Sequence, residues 1–132
     1  MKFRFSGKPV VKGNLEGRTL VSKYPLSFLG GVDPNSGRVI DPDSDIKGES
    51  ITGKILIYPT GKGSTVGSYI IYAMKKMGTA PLAIVLREAD TVTIIGCVLA
   101  DIPLMHRVKP DPLSIGNNVR VTLSGDALEV LE

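Results

Sequence analysis

The chain has no tryptophan, one cysteine and one histidine, and each scarcity removes a class of chemistry. A lone cysteine, Cys97, rules out an internal disulfide and cannot by itself hold zinc or an iron–sulfur cluster. Its flanks, Ile94-Ile-Gly-Cys-Val-Leu99, are apolar, so a buried, inert thiol is expected. Four tyrosines and three phenylalanines offer few stacking platforms, and Lys75-Lys76 is the only dense basic pair. Both facts argue against nucleic acid as a partner. The net charge of +3, from 16 basic and 13 acidic residues, is mild and compatible with a small anionic ligand. No run approaches the ~18 consecutive apolar residues of a membrane span. Nor does an apolar region follow Met1-Lys-Phe-Arg-Phe5, as a signal peptide requires. A cytoplasmic protein with no membrane partner is the expectation. A length of 132 residues suits one domain, 1–132, around one modest core.

What is present centres on Tyr58-Pro-Thr-Gly-Lys-Gly-Ser64-Thr-Val-Gly-Ser-Tyr69. It joins an apolar strand, Lys54–Tyr58, to a segment with helical spacing, Val66–Met77. Gly61 and Gly63 free the backbone for positive φ or close approach to a ligand. Ser64 or Thr65 can cap the helix, whose first N–H groups then face the loop. The same N–H groups welcome a carboxylate or phosphate, or an oxyanion on Ser64 itself. The local residues leave both readings open, and capping is the simpler.

Upstream, Lys2–Lys12 reads as a strand broken at Ser6-Gly7, Gly13–Gly17 as a turn, and Arg18–Ser22 as a second strand. Leu26, Phe28 and Leu29 form an apolar cluster running into Gly30-Gly31. Asp33–Gly37 is a turn, and Arg38–Ile40 a short strand after it. A hairpin explains this much, while the double glycine suits close approach to another backbone or a ligand. Asp41-Pro-Asp-Ser-Asp45 fails the calcium-loop pattern, because Ile46 and Thr52 stand where glycine and glutamate belong.

In the expected helix Val66, Ile70, Ala73, Met74 and Met77 form the buried stripe, with Gly78 as its end. Leu82–Leu86 is the next apolar strand, which completes a βαβ unit. Nucleotide-loop patterns fail: Gly63 follows Lys62 where Ser or Thr belongs, and Val66 occupies the third glycine of a Gly-x-Gly-x-x-Gly loop. Arg87–Asp90 reads as a polar loop. Val92–Leu99 reads as a third apolar run, with Gly96 a bulge or close-approach site. Leu104–Val108 reads as a strand in which His106 is structural. Val119–Leu123 and Ala127–Leu131 are two β runs around a turn. The class is α/β: a barrel-like, strand-rich core with one firm helix and at least one βαβ crossover.

Two stretches carry a resemblance. One is Leu26-Ser-Phe-Leu-Gly-Gly-Val-Asp-Pro34 with Gly37-Arg-Val39. The other is Gly53-Lys-Ile-Leu56 through Gly61-Lys-Gly-Ser-Thr65, with Gly78-Thr-Ala-Pro81 and Ala83–Asp90. Together, over residues 3–105, they resemble the small subunit of aconitase X-type hydro-lyases. The resemblance implies a swivelling β/β/α domain. It also implies a larger partner, in a heterodimer, that carries an iron–sulfur cluster and much of the substrate pocket, with no cofactor bound by this chain alone. It places the proton acceptor of a dehydration at Ser64, substrate contacts at Gly61, Lys62, Gly63 and Thr65, and the partner interface at Gly30 and Gly31. The archaeal two-subunit form implies 5-phosphomevalonate as substrate and a mevalonate pathway of isoprenoid biosynthesis. Another hydroxy acid, such as cis-3-hydroxyproline, stays open as substrate, as does a non-catalytic anion-binding β domain. With the resemblance, catalysis at Ser64 outweighs capping.

Overall fold

Alternation along each strand decides which layer a side chain enters. In the structure, a computed structural model that describes residues 3–131, seven strands close a barrel. They are β1 (Phe3–Val11), β2 (Asn14–Val21), β3 (Ile55–Tyr58), β4 (Ala83–Leu86), β5 (Leu104–Lys109), β6 (Arg120–Ser124) and β7 (Ala127–Val130), and their order round the barrel is β1-β5-β4-β3-β2-β6-β7. The expected strand start at Lys2 lies outside the described residues. Neighbours from β2 to β5 run parallel, and the remaining pairs are antiparallel.

Ile55, Ile57, Ala83 and Val85 point into the barrel, where Phe5, Val21, Met105, Val121 and Leu128 meet them. Leu56, Tyr58, Ile84 and Leu86 point outward beneath two helices, α1 (Gly67–Met77) and α2 (Thr91–Ala100). Both faces of β3 and β4 are therefore buried, which is why these strands read as continuous apolar runs. The connection from β2 to β3 has little regular structure, yet Leu26, Phe28, Val32, Val39, Ile46 and Ile51 pin it to the same outer core. The hairpin expected there is reduced to one bridge, Val32–Val39.

Three expectations need correction. First, Val92–Leu99 lies in a helix. Asp90 caps it, accepting the Thr93 N–H at 2.9 Å, and Asp101 closes it in the left-handed region at φ 53°. Thr93, Gly96, Cys97 and Ala100 face inward at helical spacing, but Ile95, Val98 and Leu99 on the outer side are apolar too. Without a polar face the helical period is invisible. Gly96 is a close-approach site between helices, not a bulge: a Cβ there would lie 2.6 Å from Ile71 Cδ1.

Second, the turn lies at Lys12-Gly13. Asn14–Gly17 already pairs with β6, with Gly17 lying beside Leu82. Third, the buried stripe of α1 is Gly67, Ser68, Ile71 and Met74, while Val66 and Met77 are about half exposed. The expected stripe gave weight to large side chains. The contact with α2 is made instead through small ones, with the Ser68 hydroxyl donating to the Val92 carbonyl at 2.8 Å. The break at Ser6-Gly7 is a register shift within β1.

Candidate active site

Parallel strands send their carboxyl ends to one side, so β2 to β5 deliver four loops to a common rim. In open α/β sheets such a rim is where ligands bind. The central loop leaves β3 at Tyr58. Its Thr60 carbonyl accepts the Leu26 N–H at 3.2 Å, and its Lys62 N–H donates to the Leu26 carbonyl at 3.0 Å. The Leu26–Gly31 stretch is thereby laid alongside the loop. Gly61 donates its N–H to Asp90 Oδ1 at 2.7 Å. Gly63 turns the chain at φ 91°, close against Ser27, whose Oγ would lie 2.4 Å from an added Cβ.

Ser64 follows, exposed. Its Oγ accepts the Val66 N–H at 3.1 Å and its carbonyl accepts the Gly67 N–H at 2.9 Å, so its backbone and side chain set the entry into α1. The cap position itself falls on Val66, which makes no side-chain cap. The N–H groups of Gly63, Ser64 and Thr65 have no acceptor among the described residues. Three consecutive donors without acceptors at a helix N-terminus are the chemistry an anion can use, and the helix dipole adds to it.

The other expected site residues are placed as follows. Thr65 opens a groove of about 190 Å³ between the N-terminal ends of α1 and α2, shared with Ser68, Tyr69, Thr91, Val92 and Ile95. Lys62 is half exposed, its Nζ 4.0 Å from Asp41 Oδ2. Gly61 has already given its N–H to Asp90. Gly30 lies open at φ 82°. Gly31 is buried, because a Cβ there would sit 2.1 Å from the Ser27 carbonyl oxygen. The close approach at Gly31 is thus to its own chain.

His106 is structural in this arrangement: its Nδ1 accepts the Ala89 N–H at 3.0 Å. Glu88 Oε2 is 4.0 Å from the same nitrogen, too far to compete with that bond. Arg87 grips Asp111 at 2.7 and 3.0 Å, and Arg107 grips Glu88 at 2.9 and 3.0 Å. Each pairing holds its carboxyl below the usual range. With Lys8 and Lys109 these pairs line an open cavity of about 690 Å³ on the rim, which does not include Ser64.

The residue that sequence reasoning passed over is Asp90, read only as part of a polar loop. Aspartate three positions before Thr93 at the head of an apolar run is a helix-start signal. Asp90 Oδ1 also accepts the Thr93 hydroxyl at 2.8 Å, and that hydroxyl meets Tyr58 OH at 3.1 Å. Tyr58 is fully buried, and burial pushes its phenol well above the ordinary range.

The residues present do not fit an iron–sulfur cluster. Among the described residues no three His, Cys, Asp or Glu side chains gather as a metal site. Cys97, on the inward face of α2, is buried in the outer core, where desolvation pushes its thiol up to about 12.

Comparison with known proteins agrees with this geometry. A family profile described as "Aconitase X swivel domain" matches residues 4–131, beyond the 3–105 that the motifs covered and including the two strands that close the barrel. The phosphomevalonate dehydratase small subunit of Thermococcus gammatolerans is 52% identical over 132 residues, covering 100% of this chain and 99% of that one. Its namesake from Thermococcus kodakarensis is 50% identical over 129 residues, 98% and 97% of the two chains. The crystal structure of Thermococcus kodakaraensis aconitase X in its holo-form superposes with a TM-score of 0.93 at 47% identity, covering 98% of this chain and 99% of that one. This chain belongs to the aconitase X swivel domain family.

Proposed function

We propose that this chain is the small subunit of a hydro-lyase that dehydrates 5-phosphomevalonate, with Ser64 accepting the proton. The observation that carries the reading is the loop itself: Ser64 is exposed at the entry to α1, its Oγ takes the Val66 N–H, and the N–H groups of Gly63, Ser64 and Thr65 beside it are left without acceptors among the described residues. The names of the relatives support the substrate.

The proton to be removed lies beside a carboxylate and is weakly acidic. A serine hydroxyl is a poor base, so the site must favour its alkoxide. Donors aimed at the charged form do this, and the dipole of α1 adds to them. The C–H proton then passes to Ser64 Oγ, the carbon–carbon double bond forms, and the hydroxyl on the adjacent carbon leaves. Lys62 stands beside these donors as a cation for the substrate's anionic end.

Lys62 to Val66 are all exposed, so nothing on this chain shuts water out of the reaction. The missing wall belongs to the larger partner, and so does the iron–sulfur cluster, for which the described residues of this chain gather no ligand set. Leu29 and Val66, 44% and 46% exposed, and Tyr69, 67% exposed, flank the loop as apolar rim on which that partner seats together with the open Gly30, while Gly31 packs on its own chain.

The test is anaerobic copurification with the large subunit, then assay on 5-phosphomevalonate and on cis-3-hydroxyproline. Dehydration of the phosphorylated substrate alone is expected. Turnover of hydroxyproline only would overturn the substrate, and full turnover by the large subunit alone would overturn the role of this chain.

A further inference from the structure

We propose that Asp90 is a positioning residue for Ser64, a clamp that fixes the catalytic loop to the start of α2. The proposal rests on the reading of Ser64 as proton acceptor. An ordinary helix cap needs one bond, here that from the Thr93 N–H to Oδ2 at 2.9 Å. Asp90 does more. Its Oδ1 reaches back 29 residues to take the Gly61 N–H at 2.7 Å, the shorter of its two backbone bonds. It also takes the Thr93 hydroxyl at 2.8 Å, and through it is tied to the buried Tyr58 at the end of β3.

The loop is built to receive this carboxylate. A Cβ on Gly61 would lie 2.4 to 2.6 Å from all three carboxyl atoms of Asp90, and Gly61 has no positive φ to require glycine otherwise. The second anchor is the Lys62 N–H on Leu26. With Gly61 and Lys62 both pinned, the turn at Gly63 presents the free N–H groups and Ser64 Oγ in one orientation. Beyond that turn Ser64 has only the first bonds of α1 to hold it. Loss of the Gly61 anchor lets the loop shift, and a displacement of about 1 Å in a reacting group can cost about 10²-fold in rate.

Asp90→Asn separates clamp from cap. Asparagine caps helices about as well as aspartate, but its amide nitrogen cannot accept, so it cannot satisfy Gly61 and Thr93 as the carboxylate does. In the assembled complex, kcat on 5-phosphomevalonate should fall about 10²-fold with KM changed little and melting nearly unmoved. Amide exchange at Gly61 and Lys62, the two bonded amides of the loop, should quicken relative to α1. Gly61→Ala, which pushes the loop off the carboxylate from the other side, should reproduce the kcat loss and decides the matter if Asp90→Asn misfolds.

Full kcat in well-folded Gly61→Ala, or in Asp90→Asn whose Gly61 amide is released to fast exchange, beside an inactive Ser64→Ala, would overturn the clamp and leave the proton acceptor standing. A kcat loss matched by an equal loss of folded complex would also overturn it, reducing Asp90 to a cap. If Ser64→Ala keeps full rate, the parent reading fails instead.

Discussion

At Ser64 two roles compete for one oxygen, and the geometry separates them. The hydroxyl takes only the Val66 N–H, one position before α1, while the formal cap at Val66 is empty. Losing that bond costs about 0.5–2 kcal/mol at most, whereas losing a general base costs about 10²–10⁴-fold in rate. Ser64→Ala should therefore leave folding and assembly nearly intact and collapse turnover, while Thr65→Ala changes the rate little. Steady-state dehydration with melting followed in parallel checks this; a Ser64→Ala rate near wild type would reassign the residue to the loop's structure. None of this was legible from local pattern, where capping was the simpler reading, and only the family resemblance favoured catalysis. His106 was legible as structural, and its bond has a pH signature. Burial lowers its pKa, Glu88 opposes the shift, and Arg107 and Lys8 reinforce it. Between the lowered folded value and the unfolded value of 6.5, the unfolded chain binds more protons than the folded one. Stability from neutral His106 is thus intact above 6.5 and drains away as pH falls through the folded pKa. Melting temperature measured from pH 7 down to pH 5 should fall more steeply in wild type than in His106→Gln, and parallel curves would dismiss the effect.

The element that sequence misread, α2, is also the one that meets α1 at a close approach. Ten residues without a charge hide their period, so apolarity alone could not tell strand from helix; the deciding signals were its ends, Asp90 and Asp101. By contrast β3 and α1 were legible because a buried strand, a glycine loop and a helix ended by Gly78 differ sharply in composition. The two helices touch where Gly96 meets Ile71. An added methyl there would lie 2.6 Å from Ile71 Cδ1 and 2.9 Å from Ile71 Cβ. Alanine gains about 1 kcal/mol of helix propensity over glycine, while overpacking a core costs about 1–3 kcal/mol. The contact should win, because Ile71 Cβ is fixed to the α1 backbone and cannot rotate away. Gly96→Ala should lose about 1 kcal/mol of stability, and combining it with Ile71→Val should lose less than the two single changes added together. Denaturant midpoints of the four proteins measure the coupling, and strict additivity would mean the helices part without strain.

For the whole molecule, closure of the barrel was the least legible feature. The βαβ unit announces itself within about thirty residues, but the pairings Phe3–Val130 and Leu15–Leu123 are set by the far ends of the chain meeting. No local motif encodes that register, so the two β runs after Pro110 were legible as strands but not as the pair that completes the wall. Closure has a consequence for assembly. A barrel has no free edge strand, so a partner must dock on side chains and loops, and the rim around Ser64 offers them. Gly31→Trp would be a poor probe of that docking: its Cβ would collide with the Ser27 carbonyl and break the turn itself. Leu29 serves better. It is 44% exposed, it lies outside the buried core, and its backbone nitrogen is 3.8 Å from where a Gly67 Cβ would stand, beside the start of α1. Leu29→Glu should leave the isolated subunit's stability within about 0.5 kcal/mol, because no packed contact is lost. In the complex it would bury an unpaired carboxylate against the partner, and an uncompensated charge at an interface costs about 2 kcal/mol or more. Affinity for the large subunit, read by sedimentation or calorimetric titration, should fall at least about tenfold. An unchanged affinity would move the partner's footprint off the Leu26–Gly31 side of the rim and toward the charged cavity formed by Arg87, Glu88 and Arg107.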